Sequence, residues 1–201
     1  MDDDAEAINI AWAITGAGEC LTESLQAFRK VKEELDPRIT TFMSASAEEV
    51  TRVYGIREMI SHISPGEYYE EVFLQSSQGA SSFKTGRFYT GRYAALLIAP
   101  ATSNSLAKIA HGIADTIVTN AASLALKYKT PVYVLPTDHP KTKETTIPAF
   151  LCDREEDIKV KVTPRKVDLE NLKKLGSEGV NMLEDPNDIF GICKRLIDER
   201  K

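Results

Sequence analysis

Cysteine is scarce in this chain. Cys20, Cys152 and Cys193 stand far apart in 201 residues and form no C-x-x-C pair. That spacing excludes the usual ligand sets of zinc sites and cysteine-held iron–sulfur clusters, so no metal is expected. Three is an odd number, so no complete disulfide framework is implied, and the thiols read as ordinary reduced or buried ones. Long apolar runs are also missing. None approaches the roughly 20 residues needed to cross a bilayer, and the start Met1-Asp2-Asp3-Asp4 is acidic where a signal peptide is basic. The expectation is a cytoplasmic protein with no membrane role. Positive charge is outnumbered, 25 Lys and Arg against 30 Asp and Glu, giving a net charge of −5. That balance argues against nonspecific nucleic-acid binding, which needs a basic surface.

What is present is an alternation of apolar runs and amphipathic stretches. Residues 7–14 read as a buried first strand and 21–35 as a helix, with Leu21, Leu25, Phe28, Val31 and Leu35 near helical spacing. Residues 38–43 give a second strand, followed by a helix that Ser46 and Glu49 would open as a capping box. Residues 68–74 suggest a short strand and 75–91 an irregular loop. Further strands are expected at 93–99, 115–119 and 131–135, with helices at 104–111 and 121–129. Beyond 135 the pattern loosens: 145–151 is helical or extended, 158–163 a strand with one exposed face, 168–172 a short helix, 180–183 extended and 186–200 the last helix. Alternating β and α elements imply a parallel sheet covered by helices on both faces. With no repeat or linker in view, the chain reads as one α/β domain, residues 1–201, with a core over about 7–140 and a C-terminal extension over 141–201 packed on it.

One run concentrates the chemistry. From Tyr93 to Ala99 the chain is apolar; Pro100, Ala101, Thr102, Ser103, Asn104 and Ser105 follow, and a helix carries Lys108. Small donors and acceptors at the carboxyl end of a buried strand lie where open α/β sheets bind ligands. They suit something planar, polar or phosphorylated. Thr15-Gly16-Ala17-Gly18 likewise follows a strand and opens a helix, the context of a phosphate-binding loop. It lacks the third glycine of the dinucleotide fingerprint, because Leu stands at position 21, and a plain tight turn explains it equally well.

Pro100-Ala101-Thr102-Ser103-Asn104 resembles the Pro-Ala-Ser-Ala-Asn-Thr signature of the homo-oligomeric flavin-containing Cys decarboxylase superfamily. Its continuation is matched by Leu106-Ala107-Lys108-Ile109-Ala110, Gly112-Ile113-Ala114-Asp115 and Thr119-Asn120-Ala121. Within the superfamily the chain is most similar to archaeal flavoproteins of the archaeoflavoprotein and dihydromethanopterin-reductase type. The resemblance implies a flavodoxin-like, three-layer, doubly wound parallel sheet with bound FMN. It also implies a homo-oligomer, a trimer or a multiple of trimers, with flavin at subunit contacts. It places the cofactor on Thr15, Gly16, Ala17 and Gly18, on Ser44 and Ala45, with Ser44 at the phosphate, and on Pro100, Ala101, Thr102, Ser103 and Asn104. Lys108 either neutralises the phosphate or holds its helix in place, and Asp115 reads as a structural cap.

Two departures narrow the reaction. The decarboxylases are similar to one another in a His near the first βα loop, where this chain has Glu19-Cys20. They share a Pro-x-Met-Asn-x-x-Met-Trp clamp, where this chain has Pro136-Thr137-Asp138-His139-Pro140-Lys141. Cys decarboxylation is therefore disfavoured. The expected function is an FMN flavoprotein passing electrons from a ferredoxin-like donor to a small-molecule acceptor of pterin or quinone-like class. The alternative is a flavin-dependent transferase or lyase, prenyltransferase- or decarboxylase-like, acting on a phosphorylated substrate. His139, at the end of a strand, is a candidate proton relay or simply a solvated loop histidine. Lys84, Arg87 and Arg92, in a basic and aromatic stretch, are candidates for docking an acidic redox partner or a substrate phosphate, against the reading of a solvated loop.

Overall fold

The computed structural model describes residues 7–139 and 144–200. The acidic start, and Pro140 and Lys141 after the fifth strand, lie outside the described residues. In chain order the first half holds β1 (Asn9–Ile14), α1 (Leu21–Leu35), β2 (Arg38–Met43), α2 (Ala45–Val53), α3 (Arg57–Ile63), β3 (Val72–Leu74) and α4 (Gln75–Gln78). A 3-10 helix (Phe83–Thr90) leads into β4 (Tyr93–Ala101), α5 (Ser103–Ala110), α6 (Ile117–Lys127) and β5 (Val132–Pro136). The chain ends with β6 (Glu144–Ile147), β7 (Ile158–Lys161), α7 (Lys166–Ser177), β8 (Asn181–Met182) and α8 (Asp188–Asp198).

Six strands form one parallel sheet in the order β3-β2-β1-β4-β5-β8. Apart from the short edge strand β3, the order β2-β1-β4-β5-β8 is that of the flavodoxin-like fold, as expected. From β1 the chain moves outward to β2 and β3, then returns to the other side of β1 with β4. The winding therefore reverses between β1 and β4, and a crevice opens above their carboxyl ends.

Both strands are buried at every position, which is why their sequences are apolar without alternation. Successive side chains nevertheless serve different layers. Ala11, Ala13, Leu96 and Ile98 face a cluster with Leu106, Ile117, Val118 and Ala121 of α5 and α6. Ile10, Trp12, Ile14, Ala95 and Leu97 face Leu21, Leu25 and Phe28 of α1 and Ile189 and Cys193 of α8. Trp12 stacks on Phe28 at 4.3 Å and donates its indole N–H to the Ala99 carbonyl at 2.7 Å. The part of the chain after 140 adds β8 to the sheet beside β5, while β6 and β7 pair separately as an antiparallel hairpin.

Several expectations are corrected. No strand forms at 115–119: α6 begins at Ile117, because Thr116 and Thr119 form a reciprocal capping box that starts the helix there. Asn120 reinforces it, its amide donating to the carbonyls of Ala80, Ala114 and Thr116. The β-branched Ile117 and Val118 favour a strand locally, but burial on the helix face decides their state. The stretch 75–91 is not an irregular loop but contains α4 and the 3-10 helix, closed by Gly91 at φ 67°. The strand expected to stop at Ala99 continues through Pro100 to Ala101, which pairs with Pro136. Ser46 does not cap α2; Ser44 does, accepting the Ala47 amide at 3.2 Å.

Candidate functional site

The loops after β1 and β4 are joined by one side chain. The Thr15 hydroxyl donates to the Pro100 carbonyl at 2.8 Å and accepts from the Thr102 amide at 2.9 Å. Its own amide reaches the same Pro100 carbonyl at 3.3 Å. Thr15 is 1% exposed, so it fixes the two lips of the crevice to each other from below. Pro100 and Ala101 are likewise buried and form the floor, with the Thr137 amide donating to the Ala101 carbonyl at 3.1 Å.

Beside this floor lies a cleft of about 230 Å³ lined by Gly16, Ser44, Ala45, Ser46, Gln75, Thr102, Asn104, Ser105, Lys108 and Thr116. Two helices start at it. Ser44 caps α2 through the Ala47 amide, and Thr102 caps α5 through the Ser105 amide. The earlier amides of each helix, those of Ala45 and Ser46 and of Ser103 and Asn104, have no intrahelical acceptor and carry the positive end of the helix dipole. Ala45, Ser46 and Asn104 are exposed at this cleft. Lys108, one turn into α5, adds a cation, held by Asp115 at 2.7 Å. Such a donor set suits an anionic, phosphate-sized group.

Gly16 is required by packing: a Cβ there would lie 2.4 Å from Ser46 Cβ and 3.2 Å from the Ser46 carbonyl carbon. Gly18 is similarly pressed, 2.4 Å from the Tyr54 hydroxyl. The close backbone approach expected of these glycines is thus made to α2 and Tyr54. Ala17 is buried between them. Gln75 reaches the cleft because Glu48 of α2 binds Ser76 through its amide at 2.9 Å and its hydroxyl at 2.5 Å. From the opposite side Gln75 accepts the Ile117 amide at 3.2 Å. Sequence reasoning placed Ser105 in the binding loop but missed Ser46, Gln75 and Thr116 as cleft residues. For Ser46 the helix-start pattern was visible but pointed to the wrong cap; for Gln75 no local signal exists.

At the other end of the crevice, Ser103 donates to Asp138 at 2.5 Å, and His139 follows, half-buried. Glu19 faces the same region. Burial raises its pKa, with Asp138 and Glu23 adding to the effect, while a hydrogen bond from Thr145 of the β6–β7 hairpin opposes it. Burial likewise pushes the Cys20 thiol up to about 11, so it stays protonated and unreactive at neutral pH.

The three basic docking candidates are not equivalent. Arg87 is committed to a two-pronged ion pair with Glu71 at 2.7 and 2.8 Å, lies over the rings of Tyr68, Tyr69 and Phe73, and has a side chain only 13% exposed. Lys84 is half-buried over Phe73, and Arg92 is exposed. Arg87 is therefore a structural residue of the 3-10 segment, because its guanidinium already has a carboxylate and three rings. Lys84 and Arg87, with Tyr68, Phe83, Tyr89 and Leu124, line a larger groove of about 740 Å³ away from the cleft.

Among the described residues no helix is long and apolar enough to cross a membrane. The family model described as Flavoprotein matches residues 2–200. A dihydromethanopterin reductase (acceptor) of Methanosarcina mazei is 42% identical over 193 residues, 93% of this chain and 79% of that protein. Another, from Methanocaldococcus jannaschii, is 40% identical over 149 residues, 74% of this chain but only 61% of its own length. The crystal structure of Burkholderia xenovorans DmrB in complex with FMN, described as a cubic protein cage for redox transfer, superimposes with a TM-score of 0.75. It is 29% identical, and 97% of each chain is covered.

Proposed function

This chain belongs to the flavoprotein family, and we propose that it binds FMN and uses it to reduce a pterin of the dihydromethanopterin class with electrons from a ferredoxin-like protein. One observation carries the reading: the cleft where α2 and α5 both begin, with Lys108 beside them, at the reversal of the sheet. The phosphate of FMN fits the amides of Ala45, Ser46, Ser103 and Asn104, the hydroxyls of Ser44, Ser46 and Thr102, and the Lys108 ammonium. Thr15, Pro100 and Ala101 support this arrangement from below, and Gly16, Ala17 and Gly18 keep the first loop against α2. Bound FMN supplies the hydride chemistry; the chain's part is to hold and orient it and to shield the reacting face. The relative in Methanosarcina is named for reducing dihydromethanopterin, and identity with it extends over nearly this whole chain.

A homo-oligomer is part of the same reading. Phe83 is 93% exposed, and Tyr68 and Tyr89 stand exposed near it on one groove, which suits a second copy of the chain. The related DmrB structure is described as a cage. A ferredoxin-like donor would meet Arg92, which is exposed and lies outside that groove, since Arg87 is paired and Lys84 lines the face a second copy would cover. Three unpaired thiols agree with a cytoplasmic setting.

The test is direct. Protein reconstituted with FMN and passed through a desalting column should keep a flavin absorbance band. After anaerobic reduction by dithionite, a dihydropterin should restore the oxidised spectrum. Loss of the flavin on the column would overturn the FMN reading. Retention without reoxidation by the pterin would overturn the acceptor reading alone. Reduction by ferredoxin that does not slow as salt rises would remove Arg92 from docking.

A further inference from the structure

We propose that Gln75 is a direct ligand of the FMN phosphate, carrying the positive end of α6 into the cleft through its carboxamide, a role that rests on the FMN reading above. Gln75 opens the four-residue helix α4, lines the cleft and is half-buried there. It is held from two sides. Glu48 of α2 binds both the amide and the hydroxyl of the next residue, Ser76, at 2.9 and 2.5 Å, which ties the start of α4 to a helix that opens on the cleft. On the other side the Ile117 amide, first of α6, donates to Gln75 Oε1 at 3.2 Å. A backbone N–H can bond only to the oxygen of a carboxamide, so this contact fixes which end is which. The NH2 end keeps two donors, and among the described residues no acceptor takes them.

The charge balance of the cleft gives such donors their weight. Lys108 is the cation among the lining residues, and Asp115 holds it at 2.7 Å, so the pair brings little net charge. A phosphate monoester carries nearly two negative charges at neutral pH. It must therefore be met mainly by neutral N–H and O–H groups. The first amides of α2 and α5 supply some of them. The first amide of α6 is already committed to Gln75, and Thr116 and Thr119 engage each other in the capping box beside it. The dipole of α6 is nevertheless felt in the cleft, because a carboxamide whose oxygen accepts a hydrogen bond is polarised and donates more strongly from its nitrogen. Gln75 thus turns one committed backbone amide into two donors open to the ligand.

The experiment titrates flavin-free protein with FMN and with riboflavin, which has the same ring and ribityl chain but no phosphate, and follows flavin fluorescence. Wild type should bind FMN the more tightly. Gln75→Met removes the donors and should weaken FMN about 10- to 100-fold, as for the loss of a hydrogen bond to a charged acceptor, with riboflavin nearly unchanged. Gln75→Glu keeps an oxygen for the Ile117 amide and places a negative charge at the start of α6, so its melting temperature should equal or exceed that of wild type. It should still weaken FMN more than Gln75→Met does, again sparing riboflavin, and the loss should shrink as salt screens the repulsion. Equal losses for both flavins would show that Gln75 only shapes the cleft. FMN affinity unchanged in both variants would show that the phosphate does not touch it. Either result would overturn the assignment and leave the FMN reading standing. A wild type that binds riboflavin as tightly as FMN would take the phosphate out of this cleft, and one that binds neither would overturn the FMN reading; the role of Gln75 falls in both cases.

Discussion

Ser44 and Ser46, two positions apart, have divided their work in a way that mutation can separate. Ser44 is buried and caps α2 through the Ala47 amide; Ser46 is exposed on the cleft and presses on Gly16. Ser44→Ala should remove the cap and destabilise the fold by about 1 kcal/mol, a lowering of melting temperature by roughly 2–4 °C in a domain of this size. Ser44→Asp keeps a good capping group, so the melting temperature of the FMN-free protein should stay near that of the wild type. Its negative charge at the cleft should nevertheless weaken FMN binding. Thermal melts and fluorescence titration with FMN read the two effects separately. An aspartate variant that binds FMN as tightly as the wild type would place the phosphate elsewhere. At this scale the sequence was informative but ambiguous. A serine at the end of a strand announces a helix start, yet which of two serines turns inward depends on where the helix begins relative to the sheet.

Arg87 and α6 show the same ambiguity among elements. The run Lys84 to Arg92 looks like exposed basic surface when read alone, because the carboxylate that neutralises Arg87 is Glu71, sixteen positions earlier. Burial pushes the Glu71 pKa up, but hydrogen bonds and charge from Arg87, helped by backbone amides, outweigh it and hold the group below its ordinary 4.5. A depressed carboxylate stabilises the fold above its unfolded value, and that stabilisation is lost as pH falls through the folded one. Glu71→Gln should therefore melt at a lower temperature than wild type near neutrality, with the gap closing as pH drops below 4.5. Melts over an acid series test this, and a gap constant with pH would show that the ion pair contributes nothing. The β/α alternation, the places of the sheet strands and the signature at Pro100 to Asn104 could all be read along the chain, since each is announced by its own residues. The start of α6 could not, because Thr116 and Asn120 cap and brace a turn whose β-branched residues favour a strand locally. Gln75 also escaped notice, since its place in the cleft depends on the grip of Glu48 on Ser76.

For the molecule as a whole, the open question is what covers the aromatic groove around Phe83. If a second copy does, Phe83→Glu should weaken association by roughly 2 kcal/mol or more, about 30-fold. Sedimentation velocity should then show smaller species while circular dichroism stays that of the folded chain. Unchanged sedimentation would move the interface to another face. The bridge from Thr15 to Pro100 and Thr102 has a different kind of consequence, one of timing. Its partners are 85 and 87 positions away, and β1 and β4 must pair across the same separation. The crevice is thus among the most non-local parts of the chain, and closing so long a loop is slow and entropically costly before any contact rewards it. The nucleotide cannot serve as a template around which the polypeptide collapses. It can only capture a chain that has already found its topology, so FMN should raise the melting temperature by mass action while leaving the rate of refolding untouched.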